Sequence, residues 1–293
     1  MLAYLLVEHP TSQNHQTSYS HQSSEAERFM KFSINISTMF QELDFLDRFK
    51  AVRDAGFKAV EIQFPYATPV TEIANACESA GVDVVLFNAP PGNFDAGERG
   101  LAALPGREEE FQAAVRTACD YVRVLKPVGV NILAGIPDVD ADEKACWATL
   151  INNLNYAAEE LQAAGTRALV EPLNNLDVKG FFIPTSELVV KAITEAGHKN
   201  LALQYDFYHA RMMETDPIAE LERWYDHIAH MQFADNGGRH EPGTGDIDWQ
   251  SVFTTIRKLG YSDWVGAEYI PSGATTDSLD WVPTFSDWAG IKA

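Results

Sequence analysis

Strand-like and helix-like segments alternate along this chain, and that alternation limits its fold more than any other feature. From Lys31 onward, short apolar or β-branched runs are each followed by a longer segment with helical apolar spacing. Strands are predicted at residues 32–37, 59–64, 82–88, 130–133, 167–171, 201–206, 228–233 and 264–269. Eight strands joined by helices, without a break in composition after residue 30, predict a single parallel (β/α)₈ TIM barrel over residues 30–293.

The connecting segments support this fold over a doubly wound sheet. Helices are predicted at residues 42–55, 69–80, 107–126, 142–164, 186–196, 217–224 and 249–259, with a closing helix at 277–288. Several of them end at a glycine, such as Gly165 or Gly197, as helices commonly do. A doubly wound nucleotide-binding sheet would need a G-x-G-x-x-G turn after an early strand, and the glycines of the long loop 89–106 lack that order.

The first 29 residues differ in composition from the rest. After a short apolar start they are dominated by Ser, His, Gln and Thr, and no basic region precedes the apolar residues as in a signal peptide. We predict that residues 1–29 form a disordered extension and that Met30 opens the folded domain.

The amino-acid composition limits which binding partners and which cellular compartment are expected for this protein. A formal net charge of -20 argues against nucleic acid and anionic membranes as partners. The three cysteines, Cys77, Cys119 and Cys146, show no metal or redox spacing, which is typical of reduced thiols in a cytoplasmic protein. No apolar run reaches the roughly 18 residues of a membrane span. A homo-oligomer is compatible with these features.

Four oxygen-bearing side chains end consecutive predicted strands. Glu171, Asp206, Gln232 and Glu268 close strands five to eight. In a TIM barrel the carboxyl ends of the strands surround one mouth, where active sites lie. Three carboxylates and one amide suit Mg²⁺ or Mn²⁺ better than zinc, so the sequence predicts a divalent metal site there.

A second set of polar residues lies next to these strand ends. His209 follows Asp206 by three residues, and Arg239 and His240 form a basic pair in a glycine-rich loop. In an otherwise acidic chain such cations would hold an anionic substrate. Asn88, at the end of strand three, could donate its amide to a substrate hydroxyl. The G-x-S-x-G, H-E-x-x-H and P-loop motifs of other enzyme classes are missing from the sequence.

Several segments resemble the hydroxypyruvate isomerase family, whose members are xylose isomerase-like barrels. The matching segments are 87–92, 96–101, 170–174, 203–209, 239–246 and 265–269, with the sequences FNAPPG, AGERGL, VEPLN, LQYDFYH, RHEPGTGD and VGAEY. The resemblance extends over residues 31 to 283, which is nearly the full length, and leaves the N-terminal extension outside.

The resemblance implies roles for individual residues. Glu171 and Glu268 match the acid/base pair of the family, and Asp206 and Gln232 match the remaining metal positions. Three residues, His209, Arg239 and Asp177, match substrate-contacting positions of related sugar epimerases. Those epimerases have a histidine where Gln232 stands, and an amide is a weaker metal ligand than imidazole.

The reaction implied is an isomerisation of 3-hydroxypyruvate to 2-hydroxy-3-oxopropanoate. Two glutamates on either side of the substrate would move a proton between adjacent carbons through an enediolate. A divalent cation would stabilise the negative charge, and Arg239 and His240 would hold the substrate carboxylate.

Other functions stay open at this point. A 2-oxo-tetronate isomerase would share the same four strand-end residues, and a ketose 3-epimerase would be expected to carry His at position 232. An abasic-site endonuclease of the same superfamily would need several His ligands and a basic groove. A non-catalytic barrel that binds a small molecule would need no paired glutamates.

Overall fold

The computed structural model describes residues 30–213 and 215–290, which form a closed barrel of eight parallel strands. The strands are β1 (Lys31–Asn35), β2 (Ala59–Ile62), β3 (Asp83–Asn88), β4 (Gly129–Asn131), β5 (Arg167–Val170), β6 (Leu201–Asp206), β7 (Ile228–Phe233) and β8 (Trp264–Ala267). Each strand pairs with the next one in the chain, and β1 closes the ring by pairing with β8. The predicted (β/α)₈ fold is therefore confirmed, and the carboxyl ends of all eight strands meet at one mouth.

The outer layer of the barrel consists of helices. They are α1 (Asp47–Asp54), α2 (Val70–Ala80), α3 (Glu108–Leu125), α4 (Glu143–Ala164), α5 (Ser186–Ala196), α6 (Phe207–Met212), α7 (Pro217–Trp224), α8 (Trp249–Lys258) and α9 (Trp281–Ala289). Their starts follow local chemistry, since Asp142, Thr185 and Asp248 accept backbone N–H bonds in the first turns of α4, α5 and α8.

Two predicted helices begin later than expected, and one helix of the structure was not predicted. Helix α1 begins at Asp47 instead of residue 42, because the preceding loop is tied to the far end of the chain by a bond from the Phe40 N–H to the Thr275 hydroxyl. The closing helix begins at Trp281, after a separate 3-10 turn. The short helix α6 was not predicted, since six residues are too few for an apolar repeat.

The interior of the barrel has an apolar floor and a polar upper part. Leu86, Leu169 and Ala202 form a small apolar cluster separate from the main core between strands and helices. Two residues further along the same strands, on the same inward face, come polar side chains. The buried polar side chains of the interior are Ser33, Asn35, Glu61, Asn131, Glu171, Gln204, Asp206, His230, Gln232 and Glu268. Polar groups are costly to bury, and their concentration at one end marks that end for function.

The predictions about the N-terminal extension, membrane helices and cysteines can be compared with the structure only for the residues that it describes. The predicted disordered extension, residues 1–29, lies outside the described residues, so it and the domain boundary at residue 30 stay predictions. Within the described part of the chain, none of the helices combines the length and apolar character that a membrane crossing requires. The thiols of Cys77, Cys119 and Cys146 are free.

Gly266 on β8 gives a first testable prediction, because a methyl group there would lie 2.0 Å from Glu61 Oε1. We expect Gly266→Ala to lower the free energy of unfolding by about 1–3 kcal/mol, as overpacking of a close-packed interior does. Urea unfolding measures the change. Gly273→Ala is the matched control, since no atom lies within 4 Å of its added methyl group. Equal losses in the two variants would contradict the steric account.

Candidate active site

A small cavity opens at the carboxyl-end mouth of the barrel and brings most of the predicted site residues together. Its volume is about 170 Å³. It is lined by Gln63, Phe64, Asn88, Phe94, Arg99, Leu133, Glu171, Leu173, Asp177, Val178, His209, Arg239 and Glu268. Six of the nine residues proposed from the sequence are in this lining, and Asp206 lies directly beside it, 3.8 Å from His209.

Each of the two glutamates is held by an asparagine from the adjacent strand of the ring. The Asn131 amide at the end of β4 donates to Glu171 Oε2 over 2.7 Å. The Asn35 amide at the end of β1 donates to Glu268 Oε1, also over 2.7 Å, and Gln63 donates to the same oxygen over 2.9 Å. These amides therefore hold one oxygen of each carboxylate and leave the other oxygen for a different partner.

The second oxygen of Glu171 is buried, and none of the residues that the structure describes forms a hydrogen bond with it. Burial raises the pKa of Glu171 well above its usual range, and the neighbouring Glu268 and Asp206 raise it further. A buried polar atom without a partner is costly and is usually kept for a ligand or a reaction. Glu171 therefore presents one oxygen for chemistry.

Arg239 supplies the positive charge among these carboxylates. Its Nη2 lies 2.7 Å from Glu268 Oε2 and 3.4 Å from Asp206 Oδ2, and its guanidinium lies over the Tyr208 ring at 5.0 Å. The backbone of Arg239 has a φ of 56°, a strained left-handed conformation that is common at functional sites. Burial raises the pKa of Glu268, and Arg239 opposes that rise.

Asp206 links strand β6 to the short helix α6. One of its oxygens accepts the Tyr208 N–H over 2.9 Å, which caps the helix. Since α6 starts immediately after Asp206, its first turn brings His209 back to within 3.8 Å of Asp206 Oδ2. Burial, partly offset by Arg239, raises the pKa of Asp206 to about 7.

His209 acts as a hydrogen-bond donor toward the cavity. Its Nδ1 accepts the backbone N–H of Asn174 over 3.2 Å, and a backbone N–H can only donate. The proton of the neutral ring therefore sits on Nε2, which lies 3.9 Å from Glu171 Oε1 and 3.8 Å from Asp206 Oδ2. Burial and the charge of Arg239 lower the pKa of His209 well below its usual value, so the ring is neutral.

The donor set fits a hard divalent cation. Potential ligand atoms of Glu171, Asp206 and His209 lie within 4.8 Å of one another, and Glu171 offers its unpartnered oxygen. Because His209 Nε2 carries a proton in this tautomer, the carboxylates of Glu171 and Asp206 are the better ligands of this cluster. Oxygen donors of this kind suit Mg²⁺ or Mn²⁺.

Gln232 is engaged below the cavity instead of lining it. Its Nε2 donates to Glu61 Oε2 over 2.7 Å, and its Oε1 accepts from Gln204 over 2.6 Å. Glu61 itself is fully buried and also contacts Ser33 and His230, at 2.7 Å and 2.8 Å. This network supports the base of the site and explains why Gly266 must lack a side chain.

The other residues predicted for substrate binding are placed differently from one another. Asn88 and Asp177 line the cavity, and Asp177 accepts hydrogen bonds from Tyr208 and Asn174. His240 is not in the lining, because its ring Nδ1 lies 2.7 Å from the Ile270 carbonyl at the rim. The basic pair of the sequence is thus divided between the cavity and the rim.

Four residues of the site were missed in the sequence. Asn35 and Asn131 end their strands as the glutamates do, so the strand-end rule could have found them. Gln63 lies just beyond β2, and Arg99 lies in the long loop before α3. No periodic pattern points to a loop residue such as Arg99.

Larger cavities elsewhere do not compete with this site. One of them, of about 660 Å³, is lined by residues near the amino-terminal ends of β5, β7 and β8, such as Arg167, Ile228 and Asp263. In TIM barrels that face contributes stability, and catalysis takes place at the carboxyl-end mouth. The small cavity is therefore the better candidate despite its size.

The chain is similar to known proteins over most of its length. The xylose isomerase-like TIM barrel family matches residues 49–285. Hydroxypyruvate isomerase of Escherichia coli (strain K12) is 39% identical over 256 residues, which are 87% of this chain and 99% of that protein. The 2-oxo-tetronate isomerase of Cupriavidus necator is 38% identical, covering 87% and 98% of the two chains.

A solved structure gives the same picture for the fold. The crystal structure of a protein described as AP endonuclease, family 2, from Brucella melitensis has a TM-score of 0.84 and 39% identity, covering 87% of this chain and 98% of that one. The chain belongs to the xylose isomerase-like TIM barrel family, and the prediction that it is an isomerase of this family is confirmed.

Proposed function

We propose that this member of the xylose isomerase-like TIM barrel family interconverts 3-hydroxypyruvate and 2-hydroxy-3-oxopropanoate (tartronate semialdehyde). The observation that carries the proposal is the pair of buried glutamates, Glu171 and Glu268, which face one small cavity from different strands. The relative named hydroxypyruvate isomerase supports the choice of substrate.

The reaction needs a base for one carbon and an acid for the next. One glutamate removes a proton from C3 of hydroxypyruvate, which forms an enediolate, and the other delivers a proton to C2. The hydroxyl proton on C3 is lost as the oxygen on C2 gains one, so no redox partner is needed. Burial raises the pKa of both glutamates above the ordinary value, which makes each carboxylate a stronger base toward a carbon-bound proton.

The surrounding side chains stabilise the enediolate. His209 directs its Nε2–H toward the space beside Glu171 and Asp206, where an enediolate oxygen can accept it. Arg239 places a positive charge next to Glu268. Preorganised donors and charges in a buried site lower the barrier most when they face the atom that gains negative charge.

A divalent cation is part of the proposal. Glu171 and Asp206, whose oxygens lie in one cluster, would hold Mg²⁺ or Mn²⁺ together with Glu268. Gln232 would complete the set only by giving up its bond from Gln204. When bound, such a cation would act as a Lewis acid toward the two substrate oxygens. The three carboxylates would be balanced better by two positive charges than by Arg239 alone.

The second candidate is a 2-oxo-tetronate isomerase, which the Cupriavidus necator relative favours. Its substrate is one carbon longer, and the same two glutamates would act on it. The small volume of the cavity, about 170 Å³, and its apolar walls of Phe64, Leu133 and Leu173 favour the shorter acid. A ketose 3-epimerase and an abasic-site endonuclease are less well supported, since position 232 is Gln and the net charge is -20.

A substrate panel tests the proposal. The purified chain would be assayed with hydroxypyruvate, a 2-oxo-tetronate, a ketohexose and abasic DNA, first with EDTA and then with Mg²⁺ or Mn²⁺ restored. We expect the highest kcat/KM with hydroxypyruvate, and a loss of activity in EDTA that added metal reverses. A preference for the four-carbon acid would assign the second candidate, and cleavage of abasic DNA without isomerisation would overturn both.

Cellular context completes the proposal. We infer a small hydroxy-oxo acid as the ligand. Neither nucleic acid nor a membrane is expected as a partner, because the formal net charge of the chain is -20. The three free thiols support a cytoplasmic location, where thiols stay reduced.

A further inference from the structure

We propose that Arg99 binds the carboxylate of the substrate and so selects hydroxy-oxo acids over neutral ketoses. This inference rests on the proposed function and adds the residue that recognises the acid group. Arg99 lines the cavity together with Glu171, His209, Arg239 and Glu268.

The loop that carries Arg99 is fixed to the barrel. Gly100 forms an antiparallel bridge with Ala134, and the Ala103 N–H donates to the Ala134 carbonyl over 2.7 Å. The contact is so close that a methyl group on Gly100 would lie 2.2 Å from the Leu133 carbonyl oxygen. Arg99 therefore projects from an anchored backbone.

The guanidinium of Arg99 is held on one side and open on the other. It lies over the Phe94 ring at 3.8 Å, and its Nη1 donates to the carbonyls of Phe94 and Glu98 over 3.0 Å and 2.8 Å. In the part of the chain that the structure describes, no carboxylate forms an ion pair with Arg99 within 4.0 Å. A preorganised guanidinium with free N–H groups is suited to a carboxylate, which it can bind through two parallel bonds.

The carboxylate next to Arg99 in the chain is paired with a different arginine. Glu98 pairs with Arg107, which also pairs with Glu110 at 2.7 Å. The other arginine of the lining, Arg239, is bound to Glu268 and Asp206. Of the two arginines in the lining, Arg99 is thus the one whose charge is available to a ligand.

An anionic substrate needs that charge. Glu171, Asp177 and Glu268 give the cavity an acidic lining, which would repel a carboxylate in the absence of a free cation. The sequence suggested Arg239 and His240 for this role, but Arg239 holds the two carboxylates and His240 bonds to Ile270 at the rim. A neutral ketose, with a hydroxymethyl group in place of the carboxylate, would gain little from Arg99.

The test compares Arg99→Gln with wild type on charged and neutral ligands. We expect KM for hydroxypyruvate to rise about 100-fold with little change in kcat, since the carboxylate bond is the same before and during the reaction. Binding of glycerate, an unreactive acid of the same length, should weaken by a similar factor in calorimetry, whereas glycerol, its neutral counterpart, should be unaffected. Arg99→Lys should recover part of the loss.

Arg116→Gln is the matched control, because it removes the same charge from the exposed side of α3, where Arg116 donates to Tyr156. If Arg99→Gln leaves KM for hydroxypyruvate and the affinity for glycerate unchanged, or if Arg116→Gln has an equal effect, the inference is overturned. Failure of the proposed function has a different signature: wild type would not isomerise hydroxypyruvate, while glycerate would still bind through Arg99.

Discussion

Replacing either glutamate of the cavity with glutamine is expected to lower kcat for hydroxypyruvate by about 10³- to 10⁴-fold. Glu171→Gln and Glu268→Gln keep the size and shape of the side chain and one hydrogen-bond acceptor, but they remove the carboxylate that accepts a proton. Asn131 and Asn35 remain in place beside them, so circular dichroism and thermal unfolding should report a folded barrel. Single-turnover and steady-state kinetics at saturating substrate measure the effect.

Isotope exchange in D₂O would separate the roles of the two glutamates. A variant that keeps one glutamate should still exchange the proton at the carbon which that glutamate serves, although it no longer completes the isomerisation. Exchange at C3 in Glu171→Gln would assign C3 to Glu268, and exchange at C3 in Glu268→Gln would assign it to Glu171.

The matched control is Glu159→Gln on the exposed side of α4, which should retain wild-type kinetics. Activity close to wild type in both cavity variants would contradict the two-glutamate mechanism. Loss of activity together with loss of the folded signal would indicate instead that the carboxylates hold the barrel together.

The convergence of the site residues could be predicted because it follows from topology. Glu171, Asp206 and Glu268 come at the ends of parallel strands, and a closed barrel brings those ends to one mouth whatever the details of packing. The same rule covers Asn35 and Asn131, which end β1 and β4 beside the two glutamates.

The direction of individual side chains could not be predicted, because it depends on partners from distant strands. Gln232 is at a strand end like the others, but it turns to Glu61, 171 positions away in the chain. The orientation of Arg99 depends on the anchored loop before α3 and on the ring of Phe94. Neither contact leaves a periodic signal in the sequence.

A tertiary contact explains why α1 begins later than predicted, and a helix cap explains why α6 was not predicted. The segment from residue 42 has helical apolar spacing, but its first residues are held in a loop by Thr275, which bonds to the Phe40 N–H and to Glu42. A tertiary contact of this kind overrides propensity. Helix α6 had the opposite problem, since a single capping residue, Asp206, starts it without any repeat.

The carboxylate that starts α6 also sets the second large prediction, which concerns stability and pH. In the folded protein the pKa of Asp206 is raised to about 7 from the ordinary value of 3.8. Below pH 3.8 both the folded and the unfolded chain carry the proton. Between pH 3.8 and 7 only the folded chain keeps it, so the free energy of unfolding falls as pH rises, by about 4 kcal/mol for a shift of about three pH units.

Asp206→Asn removes this titration. We expect the stability of the variant relative to wild type to increase by about 4 kcal/mol between pH 4 and pH 8, whatever the offset between the two proteins at pH 4. Asp206 is also one of the charges that raise the pKa of Glu171, so its removal lessens a second penalty of the same sign. Urea unfolding at a series of pH values, with EDTA present to keep divalent cations from the carboxylates, measures the difference.

Asp44→Asn controls for the loss of one charge from an acidic chain, because Asp44 is exposed. If the stability curves of Asp206→Asn and wild type stay parallel across the pH range, the fold does not raise the pKa of Asp206, and the prediction is wrong. A growing difference would mean that the protein retains Asp206 against its own stability. Such a cost is expected of a residue kept for binding and catalysis, since groups that serve packing are selected to stabilise the fold.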